Sequence, residues 1–586
     1  MILVPAGHAA LLDAEALAAA AATRTAGPDV DDIDALGKWL CSAALASVAV
    51  LAAATELTAA RLRSQAGAQD DSAKKAADLE ELEERDSSGD MSDPRLARWV
   101  AVVAGWALLA VFSVVYWATG QLAPLSICAV GLGVLFTMRP VEFAGGAVRF
   151  NMATVPWLCI FWLLATRAMP FSVVWTGIMG QQGVDILPWT MLVTFASSVY
   201  MCTSLEVTGG LDAFAHQMTK TFGDSPTLLF FALASLAAAL TCLIPDDVVT
   251  MTLAPTVCAL CAELRLDAKP YLHAIFYNAN IWAVTLVTGN ITNVIVADVT
   301  HKGFLSFAAS MIKPGAAAGA TSMVLLWATF SSSLQAASQE AVARTQGAAE
   351  LPLQRMNTMG IVQYRLRARI CAARFGFVFV WASLDGLHHW PIWLTMGTFA
   401  GASLAMDLAM DAMGLDDARS FTMQVLQAVP FDMFFFYLAL FVLVQQLLHA
   451  GVVDVLARDL APLANSPFLA AGAIGFLALL AAQAVSSVPM TILMLQVVMH
   501  VPGWRQGELE GNEQALHAKN LALYALVLGS NFCGNLTRMG TMGGQMWVRI
   551  ARNHGVELHD GAIALRGFTV MIPVMCAGLA VLCATL

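Results

Sequence analysis

The chain has 586 residues, of which 58% are hydrophobic and 12% charged, with a mean hydropathy of +0.68. A soluble globular protein carries about twice that charged fraction, so the composition excludes that class and predicts an all-α polytopic membrane protein. The net charge of −11 reflects acidic loops, and no basic patch is dense enough to indicate binding of nucleic acid.

Residues 1–97 are predicted to be an N-terminal extension outside the main membrane region. An apolar run from Trp39 to Ala54 is short for a bilayer crossing, and is either an extra membrane helix or an amphipathic flank. The run from Asp78 to Asp86 is nearly all Glu, Asp and Leu, which is typical of a solvated linker.

A first transmembrane repeat is predicted over residues 98–330. Within it, the apolar run Thr227–Ile244 meets Pro245-Asp246-Asp247 and resumes as Val248–Leu264. Adjacent carboxylates between apolar helices cannot face lipid. They belong either to the tip of a re-entrant hairpin in a wet cavity or to a surface loop.

The stretch Thr288-Gly289-Asn290-Ile291-Thr292-Asn293 interrupts the apolar run Tyr271–Ala297. In lipid a helix must satisfy its own backbone, so a Gly-Asn break survives only where it lines a protected cavity. Many secondary transporters hold ions and substrate at such breaks. The sequence therefore predicts a broken-helix transport site.

A polar connector is predicted over residues 331–370, and a second transmembrane repeat over 371–586. Six arginines lie in or near the connector, and their basic excess indicates the cytoplasmic side of a membrane: Arg344, Arg355, Arg365, Arg367, Arg369 and Arg374.

The second half repeats features of the first. Ser225-Pro226 recurs 241 residues later as Ser466-Pro467, and Ser486-Ser487-Val488-Pro489 falls where Pro245-Asp246-Asp247 fell. The stretch Gly529–Arg538 is expected to be the counterpart of Asn280–Asn293. A constant offset would place Asn290 on Asn531, whereas matching the two Gly-Asn-x-Thr motifs requires a gap.

These motifs resemble those of the ion transporter superfamily, in its arsenite-permease and citrate-transporter-like branch, over roughly Gln121 to Leu586. The resemblance implies two inverted repeats, each with a re-entrant hairpin and a broken transmembrane helix. It implies efflux of a trivalent metalloid hydroxide for arsenite permeases, and movement of silicic or boric acid for plant relatives. The chain departs from the usual pattern at Asp246, at Ser486-Ser487 and at Arg538.

The residues expected to bind substrate or ion come from the two tips and the two breaks. They are Asp246, Asp247, Asn280, Gly289, Asn290, Thr292, Asn293, Ser486, Ser487, Asn531, Asn535, Thr537 and Arg538. No catalytic residue, metal ligand or cofactor is predicted, apart from a coupling ion, H⁺ or Na⁺.

Asp247, together with Asp246, is our hypothesis for the coupling site, because adjacent carboxylates repel one another and favour uptake of a proton. The alternative is a helix-capping pair. The Asn and Thr side chains, with exposed carbonyls at Gly289 and Gly534, suit a neutral polyol or a dehydrated cation. Their alternative role is polar contact between helices.

Arg538 needs a partner at membrane depth. Either Asp246 supplies it, or the guanidinium binds a carboxylate or another oxyanion.

The sequence thus predicts a secondary active transporter, coupled to protons, that exports a small solute such as arsenite, antimonite or silicic acid. The alternatives are a sodium- or proton-coupled carrier of citrate, dicarboxylate or another anion, and a sodium/proton antiporter. A membrane-embedded enzyme is disfavoured because no nucleophile–base constellation is present. Expected partners are a small-molecule or ion substrate and membrane lipid, with a homodimer left open and no nucleic acid.

Overall fold

The computed structural model describes residues 94–138, 141–143, 148–150, 154–180, 187–210, 221–222, 225–242, 244–300, 302–346, 365–384, 390–414, 420–429, 431–505, 508–509 and 511–586. The helix or flank predicted at Trp39–Ala54, the acidic linker at Asp78–Asp86 and residues 347–364 of the connector lie outside these ranges. The chain divides into two compact units, Met1–Cys128 and Ala129–Leu586. The site described below lies within the second.

Helices dominate the described residues. The first ten are α1 Pro94–Thr119, α2 Leu122–Met138, α3 Val155–Ala165, α4 Phe171–Met179, α5 Pro188–Val207, α6 Pro226–Thr241, α7 Asp246–Leu264, α8 Ala268–Trp282, α9 Ile291–Val299 and α10 Phe304–Gln346. The next ten are α11 Arg365–Ser383, α12 Ile392–Ala412, α13 Phe421–Ala428, α14 Phe431–His449, α15 Val452–Leu460, α16 Pro467–Val485, α17 Ser487–His500, α18 Glu513–Leu536, α19 Met542–Asn553 and α20 Asp560–Thr585.

One short antiparallel hairpin interrupts the helical pattern between α2 and α3. Its strands are β1 Val141–Phe143 and β2 Val148–Phe150, with Glu142 opposite Arg149. The prediction of an all-α membrane protein is otherwise confirmed.

Eight helices among the described residues are long and apolar enough to cross a membrane. They include α5, α7, α12, α14, α16 and α20, a segment of α1 over Val102–Thr119, and Phe304–Glu340 of α10. The protein is therefore an integral multi-pass membrane protein. The order of elements in the second half parallels that in the first, while the inverted relation of the two repeats remains a prediction.

Close crossings at glycines bring pairs of helices together. A Cβ at Gly529 of α18 would overlap the backbone carbonyl of Gly475 on α16. On α4, a Cβ at Gly177 would lie 2.7 Å from the Cα of Val442 on α14. Without a hydrophobic driving force between helices in lipid, small residues permit the close packing that stabilises such pairs.

Two buried ion pairs join the middle helices. Arg374 of α11 donates to Asp407 of α12 at 2.8 Å, and Arg367 donates to Asp411 at 2.7 Å. Asp407 also accepts from the hydroxyl of Tyr200 on α5 at 2.9 Å. Two of the arginines that we interpreted as a topology signal therefore join α11 to α12, and Arg374 also links this pair of helices to α5 through Asp407.

Candidate functional site

The first tip, residues 245–247, is the start of α7. Asp246 is the first residue of that helix and is 3% exposed. Its Oδ1 accepts from the backbone N–H of Asp247 at 2.9 Å. Both carboxylates thus lie in the first turn of α7, where the helix dipole stabilises negative charge.

The first break, residues 283–290, separates α8 from α9. Two 3₁₀ turns, Ala283–Thr285 and Val287–Gly289, fill most of it. A Cβ at Gly289 would overlap the carbonyl oxygen of Ala283, which is why only glycine fits there. Asn290 then begins α9 as its N-cap, because its Oδ1 accepts from the backbone N–H of Thr292 at 3.1 Å.

The first tip contacts both breaks. Asn290 Nδ2 donates to Asp246 Oδ2 at 2.8 Å. The carboxylate of Asp247 lies against Gly543 in the first turn of α19, where a Cβ at position 543 would overlap its Oδ1. The two carboxylates therefore connect elements that are far apart in the chain.

The second tip, residues 486–489, comprises the turn at Ser486 between α16 and α17 and the first three residues of α17. Ser486 has a φ of 67° and serves as the N-cap position of α17. A non-glycine residue with positive φ is uncommon and marks a local constraint worth explaining. The side chains of Ser486 and Ser487 are 4% and 6% exposed.

The second break lies later in the chain than the sequence predicted. Helix α18 continues through Gly534 and Asn535 to Leu536, so the unwound residues are 537–541. The prediction that Asn535 belongs to the unwound segment is therefore wrong, because Asn535 lies in the last turn of α18.

Thr541 takes the position in the second break that Asn290 takes in the first. It is the N-cap of α19, with its Oγ1 accepting from the backbone N–H of Gly544 at 3.1 Å. Gly540 precedes it as Gly289 precedes Asn290, and a Cβ at Gly540 would also overlap a carbonyl, that of Cys533. The offset between the breaks is thus 251 residues, which places Asn280, not Asn290, opposite Asn531.

These four elements surround one cavity of about 170 Å³, which we call the main cavity. It is lined by Asp246 and Asp247 from α7, Asn290 and Ile291 from α9, Ser486 and Ser487 from α17, and Thr541 and Met542 from α19. Each pair lies at the beginning of its helix. Four helix N-termini, each equivalent to roughly half a positive charge, therefore meet two carboxylates.

Helices α5 and α14 complete the wall. Phe195, Val199, Thr203 and Glu206 recur every three or four residues and so share one face of α5. Met433, Phe436 and Tyr437 contribute from α14, with the ring of Tyr437 edge-on to Phe195 at 5.2 Å between centroids. Half-buried Glu206 adds a third carboxylate to the lining.

No basic side chain is among the described residues that line the main cavity. Arg538 lies elsewhere, in an ion pair with Asp560 at 3.0 Å. The predicted pairing of Arg538 with Asp246 is therefore wrong, because Asp246 is bonded to Asn290 instead. A role for Arg538 in holding an oxyanion also lacks support, since its partner is a carboxylate of α20.

Of the thirteen residues predicted for the site, five line the main cavity: Asp246, Asp247, Asn290, Ser486 and Ser487. The remaining eight are Asn280, Gly289, Thr292, Asn293, Asn531, Asn535, Thr537 and Arg538. Six of these make buried or partly buried polar contacts between or within helices.

A bridge of amides joins the first break to α18. Asn293 donates to the carbonyls of Ala283 and Leu286 at 2.7 and 2.8 Å, which satisfies groups that the break leaves without helical partners. Asn531 Nδ2 in turn donates to Asn293 Oδ1 at 2.8 Å and to Thr292 Oγ1 at 3.2 Å. These side chains therefore brace the break.

The other polar residues also bond to protein groups. Asn280 donates to the carbonyl of Phe276 at 2.8 Å and Asn535 to that of Tyr277 at 3.2 Å. Thr537 donates to Gln483 Oε1 at 2.6 Å. These contacts match the alternative role of the Asn and Thr side chains, which is polar contact between helices.

The family profile described as "Citrate transporter" matches residues 114–529, more than half of the chain. The chain belongs to the citrate transporter family. It is also 22% identical over 400 residues to an arsenical pump membrane protein of Escherichia coli, covering 67% of this chain and 86% of that protein.

Two further relatives show the same extent of similarity. The arsenical pump membrane protein of Yersinia enterocolitica is 22% identical over 399 residues, covering 67% of this chain and 86% of its own length. A 46 kDa membrane protein of Mycobacterium leprae is 22% identical over 394 residues, covering 67% and 84%. These relatives confirm the resemblance to the arsenite-permease and citrate-transporter-like branch, and this family member is a membrane transporter, not an enzyme.

Thr203, Tyr437 and Thr541 line the main cavity of this transporter and were not predicted. Thr541 carries a local signal, because Gly540-Thr541-Met542 is followed by two glycines just as a helix resumes. No local sequence signal identifies Thr203 or Tyr437, because a single polar residue in an apolar span does not show which face of its helix lines a cavity.

Proposed function

We propose that this citrate transporter family member moves a small, neutral, hydroxyl-bearing solute, such as arsenious or silicic acid, in exchange for protons. The observation that carries the proposal is the charge balance of the main cavity. Two carboxylates in helix first turns, together with half-buried Glu206, are opposed by four helix N-termini, with no basic side chain among the described lining residues. A site of this kind offers both acceptors and donors around a solute of no net charge.

A polyhydroxylated acid matches this arrangement group by group. Its O–H groups donate to carboxylates, and its oxygens accept from backbone N–H groups and serine hydroxyls. A cavity needs about 10–15 Å³ to hold one water, so 170 Å³ accommodates a small solute with several waters. The arsenical pump relatives support this class of solute.

Asp246 and Asp247 supply the coupling in this proposal. Two adjacent carboxylates in a largely buried cavity repel one another, and burial of unpaired negative charge is costly. Entry of a proton relieves that cost when the solute is absent. Departure of the proton restores the acceptors that hold the solute's O–H groups.

The test is gradient-driven flux of arsenite in proteoliposomes. Replacing Asp247 by Asn removes the proton site while it keeps the shape of the side chain, so we expect the flux driven by a pH gradient to fall to background. Asp454→Asn is the control, because Asp454 lies in an exposed pair with Arg505 at 3.7 Å and does not line the main cavity. Normal flux in Asp247→Asn refutes the coupling assignment.

A sodium-coupled carboxylate carrier is the second candidate. Four helix N-termini facing one cavity favour an anion, and the family description names citrate. Against it, a di- or tricarboxylate would enter a cavity lined by Glu206, Asp246 and Asp247 without a basic side chain among the described lining residues. Citrate in the same assay, with a sodium gradient, separates the two candidates.

A further inference from the structure

Arg566 lies near the start of α20, a helix long and apolar enough to cross the membrane. The rest of that helix, residues 567–585, contains no charged side chain and is about 28 Å long at 1.5 Å per residue. The hydrocarbon core of a bilayer is about 30 Å thick. Arg566 is therefore placed at the boundary between the hydrocarbon and the lipid headgroups.

Three helices form a corner around the guanidinium of Arg566, which we call the arginine corner. The Cζ atom lies 5.1 Å from the centre of the Phe330 ring on α10, and Nη1 lies 3.5 Å from Nε2 of His273 on α8. The rings of His273 and Phe330 are 5.2 Å apart between centroids and are 0% and 4% exposed. The aromatic face attracts the cation, but it supplies no acceptor for the N–H groups of the guanidinium.

The positive charge of Arg566 is not neutralised within the described part of the chain. The ion pairs there join other arginines to carboxylates, and none includes Arg566. Arg538 differs in this respect, because Asp560 at the start of α20 pairs with it at 3.0 Å. A charged side chain in a membrane-crossing segment normally has a partner, so the arginine corner is suited to an anionic ligand.

The face of α20 that carries Arg566 is open to the surroundings of the protein. Arg566 is half-buried, and Thr569 and Pro573, three and seven residues further along the same face, are exposed. The apolar side chains beside this face are also exposed, with Leu565 at 68% and Ile572 at 44%. Exposed apolar groups on a membrane-crossing helix contact acyl chains, so the arginine corner is accessible from the bilayer.

We propose that the arginine corner binds the phosphate of an anionic phospholipid. The planar guanidinium donates two N–H groups to phosphate oxygens, a geometry that arginine forms readily. The acyl chains then follow the exposed face of α20 into the hydrocarbon. Basic pockets between membrane helices bind lipid headgroups in this way, and the proposal is independent of which solute the main cavity carries.

A lipid bound in the arginine corner lies against helices that also contact α19. Trp547 of α19 stacks on Phe276 of α8 at 4.6 Å between ring centroids and meets the ring of His273 edge-on at 5.1 Å. Because Arg566 and His273 belong to different helices, a ligand that neutralises the guanidinium stabilises their packing. Binding of the lipid should therefore raise the midpoint of thermal unfolding.

Native mass spectrometry of delipidated protein in a nonionic detergent tests the proposal. The unmodified protein is expected to bind phosphatidylglycerol in preference to phosphatidylcholine, and Arg566→Gln to bind phosphatidylglycerol at least fivefold more weakly. Arg552→Gln is the matched control, because Arg552 is exposed in the last turn of α19 and its loss changes the net charge equally. Equal affinity in Arg566→Gln and the unmodified protein overturns the proposal.

Thermal unfolding distinguishes a lipid from a free anion. Phosphatidylglycerol should raise the midpoint for the unmodified protein and for Arg552→Gln but not for Arg566→Gln, and inorganic phosphate should raise it for none of them. If inorganic phosphate stabilises the unmodified protein as much as phosphatidylglycerol does, the ligand is a free oxyanion and the lipid assignment is wrong.

Two further results keep the test decisive if Arg566→Gln does not fold. Arg566→Lys keeps the charge but loses the planar fork, so it should bind phosphatidylglycerol more weakly than the unmodified protein does. An unmodified protein that binds phosphatidylcholine as tightly as phosphatidylglycerol contradicts the proposal without any variant.

Discussion

Ser487 offers a hydroxyl to the main cavity from the first turn of α17. A single hydrogen bond contributes about 0.5–1.5 kcal/mol, which corresponds to roughly three- to tenfold in affinity. Ser487→Ala is therefore expected to weaken arsenite binding by that factor without lowering the midpoint of thermal unfolding. The measurement is equilibrium binding to purified protein.

Ser306→Ala is the control for this substitution, because Ser306 is exposed on α10 and outside the main cavity. An identical affinity in Ser487→Ala and the unmodified protein would show that the second tip does not contact the solute.

Gly543 has no room for a side chain, since a Cβ would overlap Asp247 Oδ1. Gly543→Ala should displace the Asp247 carboxylate from its place against the first turn of α19. We expect at least a tenfold loss of arsenite flux with the protein still folded and inserted, as judged by its elution on size exclusion.

Gly561→Ala provides the comparison, because position 561 of α20 has no heavy atom within 4 Å of the added Cβ. Equal flux in the two variants would mean that the position of Asp247 relative to α19 is unimportant.

At the scale of helices, the buried pair Arg374–Asp407 stabilises the wall of the main cavity. Tyr200 and Ser204 of α5 both donate to Asp407, while Val199 and Thr203 of the same helix face the cavity. The ion pair therefore holds α5 through a face of the helix other than the one that lines the cavity. Its contribution acts through the position of α5 and not through contact with solute.

Removing one partner leaves the other charge buried, which costs about 3–5 kcal/mol. Arg374→Met should therefore lower the midpoint of thermal unfolding in detergent by several degrees, and Arg374→Met with Asp407→Leu should recover much of it. Arg505→Met removes an exposed pair worth about 0–1 kcal/mol and serves as control. A double variant no more stable than Arg374→Met alone would argue against a buried pair.

Helix breaks and tips were predictable because their polar residues contrast with the apolar runs around them. Asp246, Asn290 and Ser486 were found in this way, and all three line the main cavity. The second break was placed too early, at Gly534 to Thr537, because Asn535 imitates the Gly-Asn pattern. The side chain of Asn535 instead donates to the carbonyl of Tyr277 from within α18.

For the molecule as a whole, composition was enough to predict a polytopic helical membrane protein. The partners of charged groups were not predictable, since they depend on which helix faces pack together. Arg538 illustrates this, because its partner is Asp560 and not Asp246. Because Arg538 pairs with Asp560, its positive charge does not enter the main cavity. A neutral solute therefore fits the cavity better than an anion does.

The central claim is that the main cavity carries a neutral hydroxylated solute in exchange for protons. The most direct measurement is initial flux in proteoliposomes of arsenite, silicic acid and citrate, each under an imposed pH gradient and an imposed sodium gradient. The account predicts arsenite flux driven by the pH gradient, inhibited by silicic acid and unaffected by sodium, with no flux of citrate. Citrate flux driven by sodium, with arsenite neither carried nor inhibitory, would contradict it.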